Sequence, residues 1–387
     1  MRPALPLMLA LAFGSVCLAA DSLPPIQDGK VPQNLTELWG AYDPRAEALE
    51  AEVTKEWEQD GIVCRVIRYR IGIFKGQPAT MAAFYAFPKG AKGLPAILQI
   101  HGGGQSASLS AVVTNAKLGY ASLSLNWGGN KMSLADGKVY DGPNTDWGAL
   151  DATHPPQRNK ANHFAGPTTP DVYTLDAMDS PRNDNWFLVT LAARRALTFL
   201  EKQPEVDPSK LGVTGHSMGG RLTVQLTGID ARVKAAVPSC GGSGDFTGDS
   251  ATFPGGAVSK RSPRDLATRS ENPYIARLQV PTLWFSPTND FHAHTYNFAY
   301  TWREVAAGRL GFSISPHFNH RHNDAHSLTA TLWFEQHLKG AYQLPRTPEV
   351  NWDKAAPGGV AAFTVTPDAD RPVKEVRVYA TADGHAL

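Results

Sequence analysis

The run Gly215-His216-Ser217-Met218-Gly219 sets a serine between two glycines, each two positions away. The apolar stretch KLGVTG (210 to 215) leads into it and a helix-forming stretch follows. The serine is therefore expected on a sharp strand-to-helix turn that lifts its Oγ clear of the end of a sheet. A hydroxyl becomes a nucleophile only when a base takes its proton and a third group holds that base in one tautomer. Asp290, just beyond the apolar run PTLWFS (281 to 286), is the acid candidate. The stretch PHFNHRHNDAH, Pro316 to His326, follows FSIS (312 to 315) and carries His317, His320, His322 and His326. Serine, acid and histidine, each after a strand and in that order, suit acyl transfer.

Acyl transfer builds negative charge on a carbonyl oxygen, and donors fixed in advance around that oxygen are usually the largest catalytic contribution. His101-Gly102-Gly103-Gly104 follows PAILQI (95 to 100), and its missing side chains let backbone approach a substrate. The expected oxyanion donors are amides at Gly103, Gly104 or Gln105, together with that of Met218 after the nucleophile. Substrate contacts are expected from His216 and from the indoles of Trp127 and Trp147, with Trp186 nearby; an indole offers the flat apolar face and single donor that suit a sugar ring.

A competing chemistry uses metal. His292-Ala293-His294 and His320-Arg321-His322, with Asp290 and Asp324, could form a zinc set. That reading makes Ser217 incidental and leaves the glycine loop without a purpose, so the expectation is no metal and no cofactor.

These residues need a scaffold. VCRVIRYRIGIF and ATMAAFYAFP, separated by the turn signal KGQP, predict an antiparallel hairpin from about Val63. PAILQI and ASLSLNW (121 to 127) then read as strands buried on both faces. A helix over Asp184 to Gln203 places Leu188, Ala192, Ala196 and Leu200 on one apolar face. Strands KLGVTG, VKAAVP, PTLWFS and FSIS follow, with helices from Ser217 and over 325 to 338. The alternation predicts an α/β fold with a doubly wound, mostly parallel sheet. Asp324 reads as the N-cap of the last helix, which leaves His326 as a first-turn surface residue.

At these residues the chain resembles the α/β-hydrolase superfamily, in the branch of acetyl xylan esterases, dienelactone hydrolases and prolyl-oligopeptidase-like enzymes. The likeness rests on HGGG at 101, GHSMGG at 215, SPTNDFH at 286, NHRH at 319 and WFEQHLKG at the end of the last helix, and it covers roughly Val63 to Gly340. It implies an α/β-hydrolase fold and a Ser-His-Asp triad. In related hydrolases the base follows an Asn in a short loop, which favours His320 over its neighbour His322. Dienelactone hydrolases use Cys where this chain has Ser217. The ~80 residues before the first core strand are too few for the propeller of a prolyl oligopeptidase, which needs at least about four blades. Hydrolysis of a carboxylic ester is thus expected ahead of peptidase action, with acetyl or other small acyl groups on carbohydrate as the expected substrate.

The remaining features set bounds. Residues 1–20, MRPALPLMLALAFGSVCLAA, have the basic end, apolar core and small-residue exit of a secretory signal peptide, so a secreted or periplasmic protein is expected. Residues 21–345 form the expected catalytic domain, with the polar segment 128–183 as a lid or wall. Residues 346–387 form a β-rich extension in which GVAAFTV and KEVRVYA read as strands. Lys+Arg of 37 against Asp+Glu of 36 leaves no field for nucleic acid or a membrane surface. Beyond the leader, Cys64 and Cys240 are expected as two free buried thiols. The oligomeric state is open.

Overall fold

The computed structural model describes residues 20–134, 136–154, 158, 169–244, 262–295, 297–298, 302, 305, 309–353 and 362–379. The expected leader lies outside them, apart from Ala20. The described elements are α1 (Leu35–Gly40), β1 (Glu52–Gln59), β2 (Ile62–Phe74), β3 (Gln77–Pro88), β4 (Leu94–Ile100), α2 (Leu109–Lys117), β5 (Ala121–Leu125) and α3 (Asn185–Glu201). There follow β6 (Val206–His216), α4 (Met218–Ile229), β7 (Val233–Ser239), α5 (Pro263–Thr268), α6 (Asn272–Ile275), β8 (Thr282–Pro287), β9 (Leu310–Ser315), α7 (Asp324–Phe334), β10 (Glu349–Asp353) and β11 (Ala362–Thr366).

Nine strands form one sheet in the order β1-β2-β3-β5-β4-β6-β7-β8-β9. From β5 to β9 all neighbours are parallel, while β1, β2 and β3 join antiparallel at one edge. This is the α/β-hydrolase architecture that the motifs predict. The hairpin forms as expected, antiparallel and turning between Phe74 and Gln77, but it is extended by β1, whose residues are only exposed or half-buried. An edge strand facing water carries no apolar period to read.

Helix α3 departs from a one-faced amphipathic helix, because nearly all its residues are buried, Arg195 among them. The Arg195 guanidinium donates to the carbonyls of Arg70, Pro44, Glu47 and Ala48 at 2.6–3.1 Å. A buried cation is costly unless its donors find acceptors, and four of the five guanidinium N–H groups do so here. They tie the chain ahead of β1, at Pro44, Glu47 and Ala48, and strand β2, at Arg70, to the helix.

The described part of the segment 128–183 is fastened to the sheet and packs into the core. Thr80 and Asp146 exchange both backbone hydrogen bonds, at 2.6 and 2.8 Å, and thereby fasten it to β3. Trp147, Leu150, Ala152 and Leu175 from this segment enter the main core. Beyond the sheet, β10 and β11 pair antiparallel as a separate ribbon. GVAAFTV therefore contributes β11, but its partner is EVNWD rather than KEVRVYA, whose described residues form no strand. Cys64 and Cys240 are free and buried, in different parts of the molecule. No helix among the described residues is long and apolar enough to cross a membrane.

Candidate active site

Strand β6 delivers Ser217 at φ 59°, ψ −121°, a conformation that side chains rarely adopt, and α4 starts at the next residue. Backbone crowding enforces the turn. A Cβ on Gly219 would stand 2.0 Å from the Ile100 carbonyl oxygen, and one on Gly215 would stand 2.3 Å from that of Gly219. The turn is pinned on its other side by Ser217 N donating to Ser239 O at 2.8 Å. A strained backbone held by its surroundings at a helix start is what an exposed nucleophile requires.

Two strands along the sheet, the loop after β8 presents Asp290, which is buried. Its Oδ1 accepts from the amides of His292 and Ala293 at 2.7 and 2.8 Å, and its Oδ2 faces His320 Nδ1 at 2.8 Å. Burial by itself would raise this carboxyl's pKa. The His320 hydrogen bond and the two amides outweigh it, so the group is held below its ordinary value of 3.8. The His320 ring lies 4.8 Å from that of His216, the residue before the serine. The geometry thus brings Asp290, His320 and the Ser217 turn together. It gives His322 other company: His322 Nε2 lies 2.9 Å from His216 Nδ1 and also bonds Ser239 Oγ.

The glycine loop abuts the turn, since a Cβ on Gly102 would meet Ser217 Cβ at 3.2 Å and one on Gly103 would meet Met218 Sδ at 2.6 Å. Gly102 N donates to Gln105 Oε1 at 2.9 Å. No hydrogen bond engages the amides of Gly103, Gly104, Gln105 or Met218 among the described residues. Asn130 Nδ2 donates to Gly104 O at 3.0 Å and holds the loop in place. Sequence reasoning passed over Asn130, whose only signal is its place in the loop that follows β5.

Trp127 and Trp147 require correction as substrate contacts. They are 0% and 2% exposed and belong to the core. Trp127 stacks on the His101 ring at 5.0 Å and donates Nε1 to His101 O at 3.0 Å, so it supports the loop from beneath. Trp186 is likewise buried, under the Arg221 guanidinium. His216 is half-exposed beside the serine. His326 is buried against Phe285 rather than on the surface, and the α7 cap is Asn323, whose side chain accepts from His326 N. His317 is exposed.

The zinc set suggested by the H-x-H pairs does not assemble among the described residues. His292 Nδ1 bonds the Cys240 carbonyl at 3.0 Å, and His320 and His322 face different partners. Donor atoms do converge in two other groups, His216–Cys240–His322 and Cys240–Asp290–His320, each within 4.8 Å. Burial first, then the neighbouring imidazoles, lower the pKa of His216 to about 3; burial, then His326 and His320, lower that of His322 to about 4. Burial first, and then the Asp290 carboxylate, push the Cys240 thiol up.

The parallel sheet, the serine at its strand-to-helix turn and the acid–histidine pair at the neighbouring strand ends define an α/β-hydrolase. A family model described as acetyl xylan esterase (AXE1) matches residues 27–247, more than half the chain, and the chain belongs to that family. It is a carboxylic ester hydrolase. Among solved structures, an acetyl xylan esterase from a Thermoanaerobacterium species is similar at TM-score 0.56 and 16% identity, covering 79% of this chain and 95% of that one. An acetyl xylan esterase from a Paenibacillus species is similar at TM-score 0.55 and 17% identity, covering 76% and 91%. No curated protein matches.

Proposed function

We propose that the protein removes acetyl or other small acyl groups from carbohydrate by a serine mechanism, as an exported enzyme. The observation that carries the reading is the His320 Nδ1–Asp290 Oδ2 bond of 2.8 Å beside the Ser217 turn. With Nδ1 committed to the carboxylate, His320 keeps Nε2 for the Ser217 proton. Ser217 Oγ attacks the ester carbonyl as that proton passes to His320. The oxyanion is received by the amide of Met218 and by those of the Gly103–Gln105 loop. His320 then protonates the departing sugar hydroxyl, and water, activated by the same imidazole, releases the acid from Ser217. Gly102 is excluded as a donor because Gln105 already occupies its amide.

Acetylated carbohydrate is supported by family membership. Export is supported by the leader-like first twenty residues. The test uses purified protein with acetylated xylan oligosaccharides, p-nitrophenyl acetate and an aminoacyl-anilide, in wild type and Ser217→Ala. Acetate release by the wild type alone, with little anilide turnover, is the expected result. Undiminished hydrolysis by Ser217→Ala would falsify the mechanism.

A further inference from the structure

One group of side chains stands beside the triad and is left unused by the reaction. His216 Nδ1, His322 Nε2 and Ser239 Oγ converge: the two imidazole nitrogens are 2.9 Å apart, and the hydroxyl lies 3.2 Å from His216 Nδ1 and in contact with His322 Nε2. Beneath them Cys240 brings its Sγ within 4.8 Å of both imidazole nitrogens. Three segments supply these atoms, the end of β6, the end of β7 and the loop before α7.

We propose that His216, His322 and Cys240 form a binding site for a thiophilic divalent cation of the zinc type, and that its occupancy inhibits the esterase. Two imidazoles and a thiolate are a preferred donor set for such ions, and Ser239 or solvent completes four-coordination. Zinc bonds of about 2.0–2.1 Å to nitrogen and about 2.3 Å to sulfur place tetrahedral donors roughly 3.3–3.6 Å apart. The donor atoms therefore need only small side-chain movements. One of the two facing imidazole nitrogens donates to the other, so an ion that enters between them displaces that proton to the far nitrogen of its own ring and takes both lone pairs. The His322 side chain keeps part of its surface open to solvent and lines a cavity of ≈320 Å³ with Thr214, Phe285 and Gln99, so one ligand of the set is within reach from outside.

Formation of the metal–sulfur bond breaks the Cys240 S–H bond and releases that proton to solvent, with no change in oxidation state. Inhibition follows from shared atoms. Cys240 Sγ also stands within 4.8 Å of the Asp290 and His320 donor atoms, and the His216 ring packs 4.8 Å from His320. An ion that draws Cys240 and His216 inward alters the surroundings of the proposed base. This half of the inference rests on Ser217 and His320 acting as proposed; the binding half does not.

The test is titration of chelator-treated full-length protein with Co²⁺, followed by absorption in the near-ultraviolet and visible. Wild type and Ser217→Ala are expected to form a one-to-one complex with a thiolate-to-cobalt band, displaced by Zn²⁺. Cys240→Ser is expected to lose the band, and His322→Ala to bind at least tenfold more weakly. Zn²⁺ should abolish wild-type acetate-ester turnover, EDTA should restore it, and His322→Ala should resist the same Zn²⁺ concentration. Fluorophosphonate labelling of His322→Ala confirms a folded site if Cys240→Ser proves unstable. No cobalt band in wild type, a band unchanged in both variants, or equal Zn²⁺ inhibition of wild type and His322→Ala overturns the proposal. Activity retained by Ser217→Ala instead overturns the serine mechanism and leaves the cobalt result intact.

Discussion

His320 Nδ1 meets Asp290 Oδ2 at 2.8 Å, and the other carboxylate oxygen is held by two backbone amides. Both oxygens of the acid are therefore committed, one to the imidazole and one to its own loop. Asp290→Asn keeps the shape but turns a pure acceptor into a group that can donate, which favours the wrong His320 tautomer. The expected result is a kcat fall of roughly 10³–10⁴-fold with KM nearly unchanged, measured on p-nitrophenyl acetate.

The two neighbouring histidines separate by mutation. His320→Ala should lower kcat by about 10²–10⁴-fold, the usual worth of a positioned base. His322→Ala, measured without added metal, should change it by less than about tenfold, since its partners are His216 and Ser239. Larger loss on the His322 side would exchange their roles.

Asp290 also predicts an acid-side stability profile. Its native pKa is depressed below the ordinary 3.8, so its stabilising contribution is complete above that value and is lost as pH falls through the lower native value. Urea unfolding should show wild type more stable than Asp290→Asn at pH 5, with the gap narrowing below about pH 3.8. A gap that is constant or widens toward acid contradicts the assignment.

Gly219→Ala should destabilise the fold as well as the activity. The new methyl would sit 2.0 Å from the Ile100 carbonyl oxygen, with no flexible side chain to give way. A loss of at least about 1–3 kcal/mol is expected, read as a lower urea midpoint.

Trp127→Phe tests the corrected role of this indole. Losing the Nε1 bond to the His101 carbonyl inside the core should cost about 1–3 kcal/mol in unfolding free energy. KM for acetylated oligosaccharide should hardly move. A large KM increase with unchanged stability would restore the indole as a sugar contact.

The parts of the site legible in the sequence are those tied to strand ends. Ser217, the loop after Ile100, Asp290 and the histidine loop could be placed because a short apolar run precedes each, and the parallel sheet follows from the same runs. Three kinds of feature were hidden. Strand β1 bears only exposed or half-buried residues, so it shows no apolar period. The three indoles look alike as letters, whether they face a sugar or the underside of His101; only packing distinguishes them. His326 follows a capping asparagine in a polar run and reads as surface, yet it closes against Phe285.

The separation in sequence between Ile100, Ser217 and His320 has a kinetic meaning. The strand ends that meet at the site belong to β4, β6, β8 and β9, strands of the parallel part of the sheet whose pairing closes long loops before it gains any contact. Asp290 and His320 come from the far edge of the sheet, after β8 and β9, while the serine turn is locked by β4 and β7. A refolding chain can thus complete its nucleophile turn before its acid and base arrive. Recovered ester turnover would then report the docking of the last two strands, later than any spectroscopic signal from the rest of the sheet.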